Sequence, residues 1–257
     1  MRHRLVVGAV VALAAIVGLA LLFWPKPVAV PPPPPASGPV PEAPADAEYP
    51  LPEAPADASA EPLPALADSD PYMLAALGEL IGSGPAQEFV AVPGIVRRIV
   101  VTVDNLAREK LPVLTRAVAP LPGSLAVTRD GERILLAEEN YARYTPYVQL
   151  IAQLDVERLA ALYLRVYPLL QQAYGEVGPA GRPFSDRVIA VIDELLAAPE
   201  VAGPIELEQP SVYFRYKDPE LEARSSGQKL LLRMGPANAA IVKGELRALR
   251  AQLTHRP

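Results

Sequence analysis

The stretch DVERLAALYLRVYPLLQQAYGEV, residues 155–177, decides the fold of this chain. Its apolar side chains recur three and four positions apart, which is the spacing of one buried face on an α-helix. The residues on that face are Leu159, Leu162, Tyr163, Val166 and Leu170. Asp155 predicts the N-cap. Pro168 should kink the helix or split it in two, because its ring displaces the hydrogen bond to the carbonyl four residues back.

Helical signals continue before this stretch. Asp70-Pro71 predicts an N-cap and a first turn of a helix that ends near Gly82. Pro93 can open a second helix, which carries Ile95, Ile99, Val103 and Leu106 at helical spacing. Thr145-Pro146 predicts another helix start.

Three further helices are predicted after it. Ser185 should cap DRVIAVIDELLAA, whose apolar stripe ends before Pro199. Asp218-Pro219 and Gly235-Pro236 open two last helices, and the second runs to about Leu253.

Two short segments have the pattern of strands. SLAVTRDGERILL, residues 124–136, alternates around Asp130-Gly131 and predicts a hairpin. SVYFRY, residues 211–216, predicts a short edge strand after Pro210. The fold class is therefore mainly α, with a small β-hairpin and a short extra strand.

The start of the chain has the pattern of a membrane anchor. Residues 5–24 are an uncharged run of 20 residues, long enough as a helix to cross the hydrocarbon core. The alternative, a cleaved signal peptide, should have a shorter apolar core and a small-residue cleavage site, whereas this run ends in Phe23-Trp24-Pro25. Because Arg2 and Arg4 precede it, we expect a cytoplasmic N-terminus and a periplasmic C-terminal part, held in the inner membrane.

Residues 25–67 are rich in proline and predict an extended, solvated, disordered linker. They contain five consecutive prolines at 31–35, and PEAPADA occurs at 41–47 and again at 52–58. At about 3.1 Å per residue the linker could reach about 130 Å. The predicted organisation is a cytoplasmic start and transmembrane helix in 1–24, a linker in 25–67 and one helical domain in 68–257.

Composition excludes several kinds of chemistry. The chain has no cysteine, so thiol catalysis and cysteine-ligated metals are excluded. Its two histidines, His3 and His255, lie near the two ends of the chain, which argues against imidazole-based catalysis. The net charge of -5 argues against nucleic acid as a partner. No cofactor or metal site is predicted.

Two sets of residues could support catalysis. Ser226-Gly227-Gln228-Lys229 has the S-x-x-K spacing of penicillin-interacting enzymes, but the companion S-x-N and K-T-G elements are absent. A serine near the start of a helix, with a solvated or paired lysine, explains the motif as well. Paired carboxylates, with Glu138 or Asp193 as candidates, have no distinctive spacing.

The candidate binding residues are aromatic and basic. NYARYTPYVQL places Tyr141, Tyr144 and Tyr147 three apart around Arg143, a spacing that could align their rings as a peptide or sugar platform. Core packing is the alternative. A basic set near the C-terminus includes Lys229 and Arg233, with Lys243, Arg247 and Arg250, and is typical of a solvated face that complements helix C-termini.

Four longer phrases resemble an uncharacterised bacterial family that is defined only as a domain of unknown function. They are NYARYTPYVQL (140–150), YPLLQQAYGEVG (167–178), FSDRVIAVIDELLAAPEV (184–201) and LEARSSGQKLLLRMGPANAAIVKGELRALR (221–250). The resemblance covers nearly the whole outer domain and extends to the arrangement of anchor, linker and helical domain. Ser185 stands where relatives are expected to have Asn. The resemblance implies no activity and no functional residue.

Two functions remain open on the sequence. The first is a membrane-tethered binding or scaffold module of the cell envelope, with an envelope protein or peptidoglycan as partner. The second is an envelope hydrolase or transferase that uses Ser226 with Lys229, or a carboxylate. The sequence favours the binding module, because its histidine and cysteine chemistries are excluded.

Overall fold

The structure is a computed structural model that describes residues 47–52, 62–109, 117 and 124–254. Within these ranges the chain forms nine α-helices and four β-strands, preceded by a short 3-10 helix, Leu66–Asp68. The helices are α1 (Asp70–Ile81), α2 (Ser83–Phe89), α3 (Ile95–Leu106), α4 (Glu139–Ala152), α5 (Val156–Val177), α6 (Phe184–Leu196), α7 (Pro219–Glu222), α8 (Ser226–Arg233) and α9 (Pro236–Thr254). The strands are β1 (Val127–Asp130), β2 (Arg133–Leu136), β3 (Glu206–Glu208) and β4 (Arg215–Tyr216).

The predicted class, mainly α with a small β element, is confirmed, but the β element is larger than predicted. The four strands form one antiparallel sheet in the order β1-β2-β3-β4. The hairpin forms as expected, with Asp130 paired to Arg133 and Gly131 at positive φ in the turn. The extra strand shortens to β4, and β3 was not predicted because three residues carry little periodic signal.

A kink or a split was predicted at Pro168. The helix α5 runs unbroken through this residue, so the split is wrong. Pro168 is exposed, while Leu169 and Leu170 beside it are buried in the core. The carbonyl that loses its partner therefore lies towards solvent, where water can satisfy it, and the buried face holds the helix together.

Pro146 also lies inside a helix, α4, which begins at Glu139. The predicted start at Thr145-Pro146 is therefore wrong. Pro146 is exposed, and Tyr144, Val148 and Ile151 on the opposite side of the helix are buried. Tertiary packing outweighs the local stop signal here.

Two predicted caps act differently from expectation. Asp70 does not cap its own helix; its carboxylate accepts the backbone N–H groups of Gly94 and Ile95 at 2.7 and 2.8 Å and so caps α3. Ser185 is buried and caps nothing. The Phe184 N–H at the start of α6 instead donates to Gln171 of α5 at 2.7 Å.

Two hydrophobic clusters fill the part of the molecule that the structure describes. The larger one packs the helices around Tyr144, Phe184, Ile192 and Leu246. The smaller one lies under the sheet and contains Leu125, Leu136, Ile205, Leu207, Tyr216, Leu221 and Leu232. The sequence of α8 contributes to both, because Leu231 belongs to the first cluster and Leu232 to the second.

Part of the predicted linker packs on the domain. Tyr49, Leu51 and Leu63 lie half-buried against the helical core, and Leu66 is buried in it. The expectation of a solvated spacer over 25–67 is therefore wrong for these residues, since their side chains have apolar surface to bury. The predicted membrane helix, residues 5–24, lies outside the described residues. Within the ranges that the structure describes, no helix is long and apolar enough to cross a membrane.

Candidate ligand-binding cleft

The three tyrosines of α4 do not form one platform. Each residue turns a helix by about 100°, so Tyr141 and Tyr147, which are six residues apart, point in directions that differ by about 120°. Tyr144 is 1% exposed in the core, and burial raises the pKa of its phenol. Tyr147 packs on Phe89 with ring centroids 5.0 Å apart. Tyr141 packs instead under the sheet, against Gly235.

Arg143 has a structural contact. Its guanidinium donates to the Ser124 carbonyl at 2.7 Å and lies 3.3 Å from Oδ1 of Asn140. Asn140 is fully buried and hydrogen-bonds both the N–H and the carbonyl of Ala126. These contacts fix the segment that leads into β1.

Lys229 and Arg233 are buried, so the prediction of a solvated basic face is wrong for them. Nζ of Lys229, 2% exposed, lies 3.2 Å from Oε1 of Glu222. The guanidinium of Arg233 lies 5.7 Å from the ring centroid of Tyr216, whose hydroxyl donates to the Lys229 carbonyl at 3.0 Å. Burial raises the pKa of Tyr216 to about 12, although Arg233 opposes the shift. This cluster joins the sheet to the helices and presents no open basic surface.

The S-x-x-K motif is a helix junction. Ser225, not Ser226, caps α8 by accepting the Gln228 N–H. The hydroxyl of Ser226 donates to the carbonyls of Asn105 and Leu106 at 3.0 and 3.2 Å, at the C-terminal end of α3. Because this hydroxyl is buried and already donates to carbonyls, the motif is explained by its structural role.

Of the candidate carboxylates, Asp193 is engaged and Glu138 is exposed. Arg250 donates to both oxygens of Asp193 at 2.6 and 3.0 Å. Glu138 lies at the start of α4 and lines a cleft. Within the ranges that the structure describes, no group of three or more histidine, cysteine or acidic residues could hold a metal ion.

That cleft is a concave feature of the part of the domain that the structure describes. It has a volume of about 770 Å³ and lies where α4, α9 and the loop between α6 and β3 meet. Its walls come from both hydrophobic clusters, chiefly Leu136, Val201, Ile205, Leu231 and Leu232. Pro199, Pro204 and Pro236 also line it, and they have no backbone N–H to offer.

Among the residues that the structure describes, four polar side chains line the cleft: Glu138, Tyr141, Glu200 and Lys243. Lys243 is 6% exposed, and its Nζ donates to the Ala198 carbonyl at 2.7 Å, just beyond the end of α6. Oε1 of Glu200 lies 3.8 Å from the same nitrogen. Burial and the nearby Glu138 carboxylate raise the pKa of Tyr141. A mostly apolar cavity with a few converging polar groups is the usual form of a small-molecule site.

Only Tyr141 of the predicted binding residues lines this cleft. The sequence pattern predicted that Lys243 lies on a solvated face. Its ammonium does lie at the C-terminal end of a helix, α6, as that interpretation implied. The signal that could have marked it is its position beside Val242 and three residues before Leu246, on the flank of the buried stripe of α9. No periodicity marks Glu200 or Val201, because they lie in a loop.

The fold and cleft define a mainly helical domain with a small antiparallel sheet and an apolar cavity between two hydrophobic clusters. The family model described as "Protein of unknown function (DUF3014)" matches residues 95–250, and the chain belongs to this family. The match begins at the first residue of α3 and ends within α9. No curated protein and no solved structure matches the chain.

Proposed function

We propose that this protein is a binding module of the cell envelope, held at the inner membrane by residues 5–24, and that its ligand occupies the cleft between α4, α9 and the sheet. The observation that carries the proposal is the cleft itself. Its volume of about 770 Å³ lies within the range of about 300–1,000 Å³ that is common for small-molecule sites.

The tether is argued from the sequence pattern. An uncharged run of 20 residues, preceded by two arginines, favours a single span with the domain outside the cytoplasm. Since Tyr49 packs on the domain, the number of residues from 25 to 46 sets the upper limit of the distance between the span and the domain. At about 3.1 Å per residue their maximum reach is about 70 Å.

The enzymatic alternative has less support. The Ser226 hydroxyl donates to two main-chain carbonyls, and Asp193 is held by Arg250. Neither group faces the cleft, which contains Glu138 and Glu200 as its acidic side chains.

The ligand site can be tested by photocrosslinking the full chain in whole cells. A photoreactive residue at Ala240, which lines the cleft, should capture a species that the same residue at Val212 does not. Val212 is 81% exposed, outside the cleft, and is the matched control. Recovery of uncrosslinked protein alone at Ala240, or the same products at both positions, would contradict a ligand in the cleft.

The tether is tested separately by fractionation. The full chain should sediment with membranes and be digested by protease added to the outside of spheroplasts. A variant without residues 1–24 should remain soluble in the cytoplasm. A membrane-associated deletion variant, or a protected domain in the full chain, would contradict the anchored topology.

A further inference from the structure

The buried ammonium of Lys243 has hydrogen-bonding capacity that the described residues do not use. An ammonium group has three N–H donors. Within the described part of the chain, Nζ makes one hydrogen bond, to the Ala198 carbonyl at 2.7 Å. The oxygen of Glu200 at 3.8 Å is beyond hydrogen-bond distance. An oxygen acceptor that enters the cleft can therefore bind to Lys243 without displacing the existing bond.

Glu200 is a weak ionic partner for this lysine. Its side chain is 87% exposed, whereas the side chain of Lys243 is 7% exposed. An ion pair with so exposed a carboxylate contributes little, because water competes for the charge. A carboxylate that is carried into the cleft by an apolar body would meet the ammonium away from water, where charge-assisted hydrogen bonds are strong.

The other residues that line the cleft determine which kind of ligand body it can bind. Leucine, isoleucine, valine and alanine make up half of the residues that line it, and three prolines remove backbone donors from its walls. Amide groups buried there would lose water and find few partners, which is costly. A hydrocarbon body would gain from the same surface.

The charges at the cleft disfavour a ligand with more than one negative charge, because a single ammonium faces two carboxylates. Glu138 and Glu200 line the same cavity as Lys243 and would repel a phosphate or a dicarboxylate. We propose that the cleft binds an apolar monocarboxylate, with its carboxylate at Lys243 and its hydrocarbon body against Ile205, Leu231 and Leu232. This inference rests on the proposed function, since it names the chemical class of the ligand of that cleft.

The test compares dodecanoate with dodecanol, below the concentrations at which either aggregates, on the full chain in detergent-free nanodiscs. Wild-type protein should bind dodecanoate about tenfold more tightly, and each added methylene from octanoate to dodecanoate should raise affinity about three- to fourfold. Inorganic phosphate should not compete.

Three variants identify the site. Lys243→Met keeps the stem and removes the charge, so it should abolish the preference for the acid over the alcohol. Lys217→Met removes an exposed lysine that pairs with Glu206 at 2.8 Å and should leave the preference unchanged. Glu200→Gln removes the competing carboxylate and should tighten dodecanoate binding severalfold, so the proposal stays testable if Lys243→Met does not fold.

The outcomes separate the two proposals. A further variant, Ala240→Phe, fills the cleft. If the wild type binds acid and alcohol equally, and this variant binds neither, the carboxylate class is overturned and the cleft remains a binding site. Weaker binding of dodecanoate in Glu200→Gln would also overturn it. Failure of every probe to bind, with no species captured from cells at Ala240, would overturn both the ligand class and the cleft.

Discussion

The carboxylate of Asp186 holds the backbone of Tyr49. Its Oδ1 accepts the Tyr49 N–H at 2.9 Å, and its Oδ2 accepts the Glu48 N–H at 3.1 Å. The guanidinium of Arg250 lies 6.0 Å from the centre of the Tyr49 ring and is fixed by Asp193. Residues from α6 and α9 thus fasten a part of the predicted linker, around Tyr49, to the domain.

Replacement of Asp186 should loosen this attachment. Asp186→Asn keeps the shape of the side chain but replaces one carboxylate oxygen by an NH2 group. This group would face a backbone N–H, so two donors would meet. We expect the free energy of unfolding to fall by about 1–2 kcal/mol, and residues 47–52 to exchange their amide hydrogens about tenfold faster. Hydrogen exchange measured by mass spectrometry checks the second effect. Asp130→Asn in the exposed hairpin turn is the control, and similar exchange in both variants would contradict the attachment.

The glycine of α8 should not tolerate a side chain. A Cβ at Gly227 would lie 2.3 Å from Cδ2 of Leu195 and 3.1 Å from the Leu106 carbonyl. We expect Gly227→Ala to lower the free energy of unfolding by about 1–3 kcal/mol, because the packed core cannot give way freely.

Gly244 in α9 is the matched control for this change. A Cβ there has no neighbour within 4 Å, so Gly244→Ala should stabilise the helix by up to about 1 kcal/mol. Chemical denaturation of both variants measures the difference. A Gly227→Ala protein as stable as Gly244→Ala would show that the junction of α3, α6 and α8 is looser than its contacts indicate.

The hydroxyl of Ser226 should matter for stability and not for covalent labelling. Ser226→Ala removes the donor from the Asn105 and Leu106 carbonyls and should cost about 1 kcal/mol. Denaturation checks the loss. Intact mass of the wild-type protein, after exposure to a fluorophosphonate or a β-lactam, should be unchanged. An adduct at Ser226 would restore the serine-enzyme hypothesis.

Stability should fall at alkaline pH through Tyr216. Its phenol has an ordinary pKa of 10.0 in the unfolded chain and a pKa of about 12 in the fold, because burial disfavours the phenolate. Between these values the unfolded state has lost its proton and the folded state has kept it. The unfolded state is therefore favoured progressively as the pH rises from about 10 to about 12.

The variant Tyr216→Phe tests this dependence. It should be less stable at neutral pH by about 1 kcal/mol, since it loses the hydrogen bond to the Lys229 carbonyl. Its stability should decline less steeply than that of the wild type at alkaline pH. Denaturation curves across the alkaline range measure both, and parallel declines in the two proteins would contradict the assignment to Tyr216.

Local sequence patterns predicted most helices correctly, but the features predicted from prolines and capping residues were partly wrong. The faces of α1, α3, α5 and α6 follow from apolar spacing, which depends only on residues within two turns. Pro146 predicts a helix start and Pro168 a kink or a split, yet both lie on exposed faces of continuous helices. Whether a proline ends a helix depends on what the opposite face packs against, which neighbouring residues do not reveal.

The candidate site was predicted less well. The spacing of Tyr141, Tyr144 and Tyr147 indicated a helix, and α4 is one, but the direction of each ring depends on the elements around it. The three rings do not lie on a single surface, so the predicted tyrosine platform has no structural support. Binding by Tyr141 alone stays a prediction. Lys229 and Arg233 were expected on a solvated face, whereas the sheet covers them.

By itself the sequence determined the helical class, the hairpin at Asp130-Gly131 and the family, because these depend on short-range periodicity and on local phrases. It also supplied the pattern on which the membrane anchor is proposed. Only the tertiary structure placed Glu138, Glu200 and Lys243 around one cavity and fastened Tyr49 to Asp186. These residues come from distant parts of the chain, and their meeting depends on which apolar faces pack together, a choice made by the whole core.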